Sequence, residues 1–133
     1  MPGLEKTKAL IGDFAAALGL ETLPPDDDGG YQVTVGDDTD VMLYGGDDET
    51  VLVVAPIAPL PRNPEYGTVM YLLRNNLFDS SIMPFQVAAD DEGGLVLWAR
   101  LAIADLTGDS LASIVKGLAE EVEEMRGVLD EEA

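Results

Sequence analysis

The stretch YQVTVGDDTDVMLYGGDDETVLVVAPIA, residues 31–58, decides the fold that the sequence predicts. Its first five residues alternate apolar and polar side chains, which is the period of a half-buried β-strand. Residues 36–40 and 45–49 are rich in Asp and Gly and predict two turns, with further strands at 41–45 and 50–58. Because connections this short join antiparallel neighbours, the stretch predicts a three-stranded meander.

The segment before the meander predicts an amphipathic helix over residues 4–18. Apolar side chains recur there at spacings of three, four and seven residues, and Gly19 supplies a C-terminal stop. Residues 23–30, LPPDDDGG, then predict a loop. The apolar positions of the predicted helix are Leu4, Ile11, Phe14, Ala15 and Leu18.

After the meander, the sequence predicts a second helix that ends near Leu77. Asn63 is a suitable N-cap, Pro64 fits the first helical position, and Glu65 suits the positive end of the helix dipole. The helix closes with YLLRNNLF, residues 71–78, and is apolar over more than one stripe. A surface helix needs only one apolar stripe, so this helix is either buried in its own domain or in contact with a second chain.

The remaining residues predict a β-hairpin and a long last helix. Strands at 82–89 and 94–103 flank the turn DDEGG, and the second of them is apolar on both faces. The last helix is predicted to start at Asp105 or Thr107, with one apolar stripe and an acidic outer face. The stripe consists of Leu111, Ile114, Val115, Leu118, Val122, Met125 and Leu129, and the outer face carries Glu120, Glu123 and Glu124.

The predicted order is therefore α-β-β-β-α-β-β-α. This order indicates an α+β fold in which helices pack on a twisted antiparallel sheet. The length of 133 residues fits one domain spanning residues 1–133.

Composition excludes several classes of function. Hydrophobic residues make up 47% of the chain, too many for a disordered protein, and 26 acidic against 7 basic residues give a net charge of −19. This charge repels nucleic acid and anionic lipid, so we expect neither as a partner. Cysteine and histidine are absent, which excludes disulfides, zinc sites of thiolate and imidazole, and Ser-His-Asp or Cys-His catalysis within this chain.

No segment of the sequence predicts export or membrane insertion. Glu5 interrupts the only candidate signal segment, and the longest apolar stretch, residues 51–61, is short and contains three prolines. We therefore expect a soluble, cytoplasmic protein.

Four acidic clusters are candidates for metal or catalytic sites. None has the spacing of an EF-hand, and Asp and Gly are favoured in turns for backbone reasons alone. The glycine pairs match no phosphate-binding motif, and DTDV at 38–41 lies in a predicted turn, unlike a phosphatase nucleophile. We expect no metal, no cofactor and no enzymatic activity. The clusters are Asp26-Asp27-Asp28, Asp37-Asp38-Asp40, Asp47-Asp48-Glu49 and Asp90-Asp91-Glu92.

Surplus apolar surface points instead to binding of another protein. One face of the second helix fits an oligomer interface and burial in its own domain equally well. In the last strand, Val96 and Trp98 lie opposite the residues that face the core, so Trp98 is a candidate contact residue. The predicted interface consists of Tyr66, Val69, Met70, Leu73 and Leu77, and the core-facing strand residues are Leu95, Leu97, Ala99 and Leu101.

Over nearly its whole length the chain resembles the class I type III secretion chaperones, the Tir chaperone family. The likeness is carried by IGDFAAALGLETL, VTVGDDTDVMLYG, YLLRNNLF and GGLVLWARLAIADLTGDSLASIVKGLAEEVEEMRGVL. Family members show a Leu-Leu-x-x-Asn-Leu helix end, which Leu72, Leu73, Asn76 and Leu77 match here. The chain departs from the family at residues 78–81, where a glycine is often found, and in the proline-rich linker.

The resemblance implies a homodimer joined through the second helix and an adjoining strand. It also implies ATP-independent binding of the extended N-terminal segment of one secreted effector, which stays soluble and competent for secretion. The client-binding residues that we predict on this basis are Phe14, Leu18, Met42, Tyr44 and Trp98. For each of them, and above all for Phe14 and Leu18, a place in the ordinary core is the alternative. The alternatives are a dimeric regulatory or adaptor protein of the same fold and an acidic mimic of nucleic acid.

Overall fold

The computed structural model describes residues 2–19, 30–35, 39–45, 49–60, 62–77 and 85–132, and it describes side chains between residues 8 and 130 of these ranges. The elements follow the predicted order α-β-β-β-α-β-β-α. Their bounds are α1 (Pro2–Ala17), β1 (Tyr31–Val35), β2 (Thr39–Gly45), β3 (Thr50–Pro59), α2 (Tyr66–Arg74), β4 (Gln86–Ala89), β5 (Gly94–Ala102) and α3 (Gly108–Glu132).

The five strands form one antiparallel sheet in the order β1-β2-β3-β5-β4. The predicted meander is confirmed, with β1 at the predicted residues. Strand β2 begins two residues earlier than predicted, because Thr39 pairs with Val35 across the turn. A register shift between Pro56 and Ala58 marks a bulge in β3.

Helices α1 and α3 cover one face of the sheet, here called the inner face. Inward side chains of the strands, among them Val41, Leu43, Val53 and Leu97, have no exposed surface. The predicted apolar stripe of α3 packs on these side chains. Two of its residues, Ile114 and Leu129, are half-buried, and the other five are buried. The predicted outer positions Glu120, Glu123 and Glu124 are exposed.

Helix α1 ends at Ala17, one residue before the predicted end, and the predicted stop residue Gly19 follows in the turn. Its φ of 77° belongs to the left-handed region that glycine adopts without strain. At the start of α3, Thr107 and Ser110 cap each other. The Ser110 N–H donates to Thr107 Oγ1 at 3.1 Å, and the Thr107 N–H donates to Ser110 Oγ at 2.8 Å. The helix therefore follows Thr107, the second of the two predicted starts, and residues Ile103–Asp105 form a short 3-10 helix instead of the end of β5.

The predicted start of α2 is wrong. Glu65, not Asn63, is the N-cap residue, and it makes no capping hydrogen bond through its side chain. The backbone of Glu65 is extended, as is usual for an N-cap residue, and its carbonyl accepts the first hydrogen bond of the helix from the Val69 N–H at 3.1 Å. The helix also ends at Arg74, three residues before the predicted end.

In the described ranges, no helix is long and apolar enough to cross a membrane.

Candidate partner-binding surfaces

The face of the sheet opposite α1 and α3 carries a row of apolar side chains, here called the outer face. Met42 lies beside Val54 on the neighbouring strand, and Val54 lies beside Trp98 on the next. Tyr44 and Leu52 pair one step further along the same strands. All five side chains are half-buried. Three of the predicted client-binding residues, Met42, Tyr44 and Trp98, are thus brought to one surface.

The position of Tyr44 depends on a glycine opposite it. A Cβ atom on Gly30 would lie 2.5 Å from Tyr44 Cε1, far inside van der Waals contact. The tyrosine ring therefore covers the backbone of Gly30, and only glycine leaves room for it.

The two predicted residues of α1 lie elsewhere. Phe14 has no exposed surface and belongs to the core between α1 and the sheet, which corrects its prediction as an exposed contact residue. Leu18 is half-buried and packs against the same core. The helical period that made Phe14 a candidate fits a core position as well as a contact position. The exposed fraction of the side chain distinguishes the two, and for Phe14 it is zero.

Helix α2 is buried on one side only. Thr68 and Leu72 face the protein, whereas Tyr66 is 79% exposed and Leu73 is 58% exposed. Leu77, just after the helix, is also exposed, and Val69 and Met70 are half-buried. In the part of the chain that the structure describes, the exposed large hydrophobic side chains all come from residues 66–77.

A cavity of about 180 Å³ lies between α2 and the strands β4 and β5. Its walls are apolar except at Asn76, and Leu73 connects it to the exposed face of α2. The lining residues are Leu60, Val69, Leu72, Leu73, Asn76, Val87, Ala88, Ala89 and Leu95.

Asn76 binds the backbone of the edge strand β4. Its Nδ2 donates to the Val87 carbonyl at 2.9 Å, and the Val87 N–H donates to its Oδ1 at 2.6 Å. Both Asn75 and Asn76 lie at the end that the sequence predicts for α2. Asn75 does act there, since its Nδ2 donates to the Tyr71 carbonyl at 3.0 Å, but the pairing of Asn76 with a strand eleven residues later has no signal in a single sequence.

A second cavity, of about 270 Å³, lies beside the other edge strand, β1. Val35 and Ala119 form its apolar part, and Lys116, Glu120 and Glu123 of α3 surround it with charge. On the same helix, burial raises the pKa of the Glu121 carboxyl, and the negative charges of Glu124 and Glu120 raise it further.

Of the four acidic clusters, Asp90-Asp91-Glu92 is described completely, and it forms a turn. Asp90 Oδ1 accepts hydrogen bonds from the N–H groups of Glu92 at 2.9 Å and Gly94 at 2.8 Å, and Gly93 has a φ of 83°. Asp26-Asp27-Asp28 lies outside the described residues, as do parts of the other two clusters. Within the described ranges, no group of three or more acidic side chains is placed to hold a metal ion.

The model of the Tir chaperone protein (CesT) family matches residues 9–126 of the chain. The match runs from α1 through most of α3 and includes all five strands. The chain belongs to this family. A comparison with curated protein sequences gives no match.

Solved structures have the same fold. A chain of the heterodimeric ExoU–SpcU complex from the type III secretion system of Pseudomonas aeruginosa aligns with a TM-score of 0.75 at 26% identity, over 89% of this chain and 96% of that chain. A second similar chain comes from the complex between the Yersinia pestis type III secretion chaperone SycH and a fragment of YscM2. It aligns with a TM-score of 0.74 at 26% identity, over 89% of this chain and 98% of that chain. A chain of the HopA1–SchA chaperone–effector complex aligns with a TM-score of 0.75 at 19% identity, over 92% of this chain and 94% of that chain. At this identity the similarity concerns the fold only.

Proposed function

We propose that this protein is a dimeric, ATP-independent chaperone that binds the extended N-terminal segment of a type III secretion effector and keeps it soluble. The observation that carries the proposal is the likeness, at 26% identity and nearly full length, to chains of secretion-system complexes from two bacteria. On this proposal the chain is one chaperone domain over residues 1–133, it acts in the cytoplasm, and it has no enzymatic activity.

The outer face of the sheet supports the client-binding part of the proposal. Met42, Tyr44 and Trp98 lie on neighbouring strands of one apolar surface, without an α-helix of the described chain over it. An extended client can add a strand to a sheet edge and place alternate side chains on the adjoining face. Leu18 remains a candidate at the margin of α1, and Phe14 contributes to the fold of that helix.

The exposed face of α2 supports the homodimer. Tyr66 and Leu73 expose their side chains along one face of α2, with Val69 and Met70 between them, and Leu77 is exposed just after the helix. Residues 62–77 hold two arginines and one glutamate, a net charge of +1 in a chain of −19. Two like-charged copies repel each other least at this segment, because it lacks the negative charge of the rest of the chain.

The decisive experiment is a pull-down of the tagged protein from its native host, followed by light scattering and mass spectrometry. We expect two copies of this chain with one dominant client, held through its N-terminal segment. A bare dimer, or a dimer that holds a nucleic-acid-binding protein, would favour the regulatory or mimic alternatives.

Two variants separate client binding from dimerisation. Replacing Trp98 with Ala should weaken client binding and leave the dimer intact, whereas replacing both Val69 and Leu73 with Glu should give monomers. Gln86→Ala is the matched control for the first variant, since Gln86 pairs with Trp98 across the strands but is exposed and polar. Equal client binding by the Trp98 variant and the control would remove the outer face from the proposal.

A further inference from the structure

The cavity between α2 and the strands β4 and β5 reaches the surface at Leu73, on the exposed face of α2. We propose that this cavity is a binding site for a tyrosine side chain, and that its occupant in the dimer is the partner's Tyr66, whose hydroxyl binds Asn76. The inference rests on the proposed dimer through α2, and it names the residue that each copy places in the other.

The lining of the cavity sets the chemistry of its occupant. The cavity has a volume of about 180 Å³, and among the described residues that line it Asn76 is the single polar one. An aromatic ring fills an apolar space of this kind, and a polar atom at the far end of the ring can meet the amide. Tyrosine combines the two features, since its body is apolar and its hydroxyl both donates and accepts hydrogen bonds.

The amide of Asn76 has the capacity to bind such a hydroxyl. Its two bonds to the Val87 backbone use one hydrogen of Nδ2 and one acceptor site of Oδ1. A side-chain amide has two of each, so a hydroxyl can bind the second hydrogen or the second acceptor site. Asn76 is exposed, which makes the amide accessible from outside the protomer.

Tyr66 lies on the same helix but outside the cavity of its own chain. It is not among the lining residues and comes three residues before Val69, the first lining residue from α2. Side chains on a helix lean toward its N-terminus, so the Tyr66 ring leans away from the cavity that follows along the helix. The side chain is 79% exposed, and it is therefore available to a second chain.

An antiparallel pair of α2 helices brings this ring to the cavity of the other copy. Tyr66 and Leu73, the two large hydrophobic side chains exposed on α2, lie symmetrically about the point between Val69 and Met70. Each is about 5 Å along the helix from that point. A two-fold axis there places the partner's Tyr66 opposite Leu73, where the cavity reaches the surface.

The lean of the side chain then directs the ring to the amide. In an antiparallel pair, the N-terminal direction of one helix is the C-terminal direction of the other. Asn76 follows Leu73 in the C-terminal direction, so the ring of the partner's Tyr66 leans from Leu73 toward Asn76. The same contact forms twice in the dimer, once in each copy.

Substitution of Tyr66 tests the occupant, with the dissociation constant of the dimer measured by sedimentation velocity. Tyr66→Ala should raise this constant by at least about a hundredfold, because the dimer loses two buried rings. Tyr66→Phe keeps the rings and loses two hydroxyl contacts, so the constant should rise about tenfold. In an Asn76→Ala background, Tyr66→Phe should have no further effect. The exposure of Tyr66 in the protomer means that both variants should fold.

The phenol para-cresol, which has the atoms of the tyrosine side chain, is the defined probe for the cavity. Added to the Tyr66→Ala variant, it should restore the dimer and slow the exchange of the Val87 amide, because it holds Asn76 in place. Toluene is the matched control, since it has the same ring and methyl group without the hydroxyl. It should restore the dimer less.

Three results would overturn the inference: an unchanged dissociation constant for Tyr66→Ala, no rescue or equal rescue by the two ligands, or a hydroxyl effect that persists without Asn76. In these cases the proposed function stands. Loss of client binding by Tyr66→Ala with an intact dimer would assign the cavity to the client instead. A wild-type protein that stays monomeric at every concentration would contradict the proposed dimer itself, and this inference with it.

Discussion

Gly108, the first residue of α3, lies directly on the backbone of Asp13 in α1. A Cβ atom at Gly108 would come within 2.5 Å of the Asp13 carbonyl carbon and oxygen, so the two helices meet at a distance that only glycine permits. Gly108→Ala should therefore lower the free energy of unfolding by about 1–3 kcal/mol through overpacking. Urea denaturation measures this loss.

Gly127 provides the matched control, since it lies in the same helix with nothing near its Cβ position. Gly127→Ala should raise stability by up to about 1 kcal/mol, because alanine favours the helix. Equal effects of the two substitutions would contradict the close approach of α1 and α3.

Asn76→Ala should destabilise the protein. The substitution leaves the Val87 N–H and carbonyl without their partner, a loss of about 1–3 kcal/mol if water does not replace it. Exchange of the Val87 amide should become faster at the same time. Asn63→Ala is the control, because Asn63 is exposed and is not the N-cap of α2, so no change in stability is expected.

Thr39→Val should stabilise the protein. The Thr39 side chain is fully buried, and among the described residues its hydroxyl has no hydrogen-bond partner. Valine has nearly the same shape without the unpaired polar group, so we expect a gain of about 1 kcal/mol in thermal or urea unfolding. Thr34→Val should give no such gain, because that hydroxyl is exposed and donates to Asp40 at 2.8 Å; a loss of stability on Thr39→Val would mean that the hydroxyl is bonded in solution.

Glu121→Gln should change stability in a pH-dependent way. Burial, with Glu124 and Glu120, raises the pKa of Glu121 above its ordinary value of 4.5, so folding costs free energy when this carboxyl is ionised. The variant should gain a small amount of stability at neutral pH, on the order of a few tenths of a kcal/mol, as for the removal of a like-charge pair on a helix. The gain should disappear as the pH falls below 4.5, where the carboxyl is protonated in both states. A gain that is the same at both pH values would contradict this cause.

If α2 forms the dimer interface, as proposed, cysteine cross-linking should reveal how the two copies of the helix are arranged. The chain has no cysteine of its own, so introduced thiols report without background. Antiparallel helices that cross near Val69 and Met70 place Tyr66 of one copy against Leu73 of the other, and they also align the helix dipoles favourably. Oxidation of a double variant, Tyr66→Cys with Leu73→Cys, should therefore give a covalent dimer on a denaturing gel.

The single variants are the controls for this experiment. Positions 66 and 73 are about 10 Å apart along one helix, too far for a disulfide within a chain. Each single variant should stay monomeric on the gel. Efficient cross-linking of Leu73→Cys alone would indicate parallel helices and contradict the antiparallel arrangement.

The sequence predicts the elements that have a strict period. Strand β1 and the stripe of α3 are where alternation and helical spacing place them, because each buries one face and exposes the other. The start of α2 is predicted wrongly, since a suitable N-cap residue such as Asn63 says nothing about the extended backbone at Glu65. The burial of Phe14 and the hydrogen bonds of Asn76 depend on which element packs beside each residue. The local sequence pattern does not contain this information about tertiary contacts.

The contact between Asn76 and Val87 makes the free protomer prone to aggregation when α2 opens. Local unfolding of α2 withdraws Asn76, and it then uncovers an unpaired strand edge beside the apolar side chains of the loosened helix. Such an edge templates further strand pairing, which is the first step of aggregation. If α2 is held by a second copy, mass action suppresses this opening, so the protein concentration sets how long the edge of β4 stays protected.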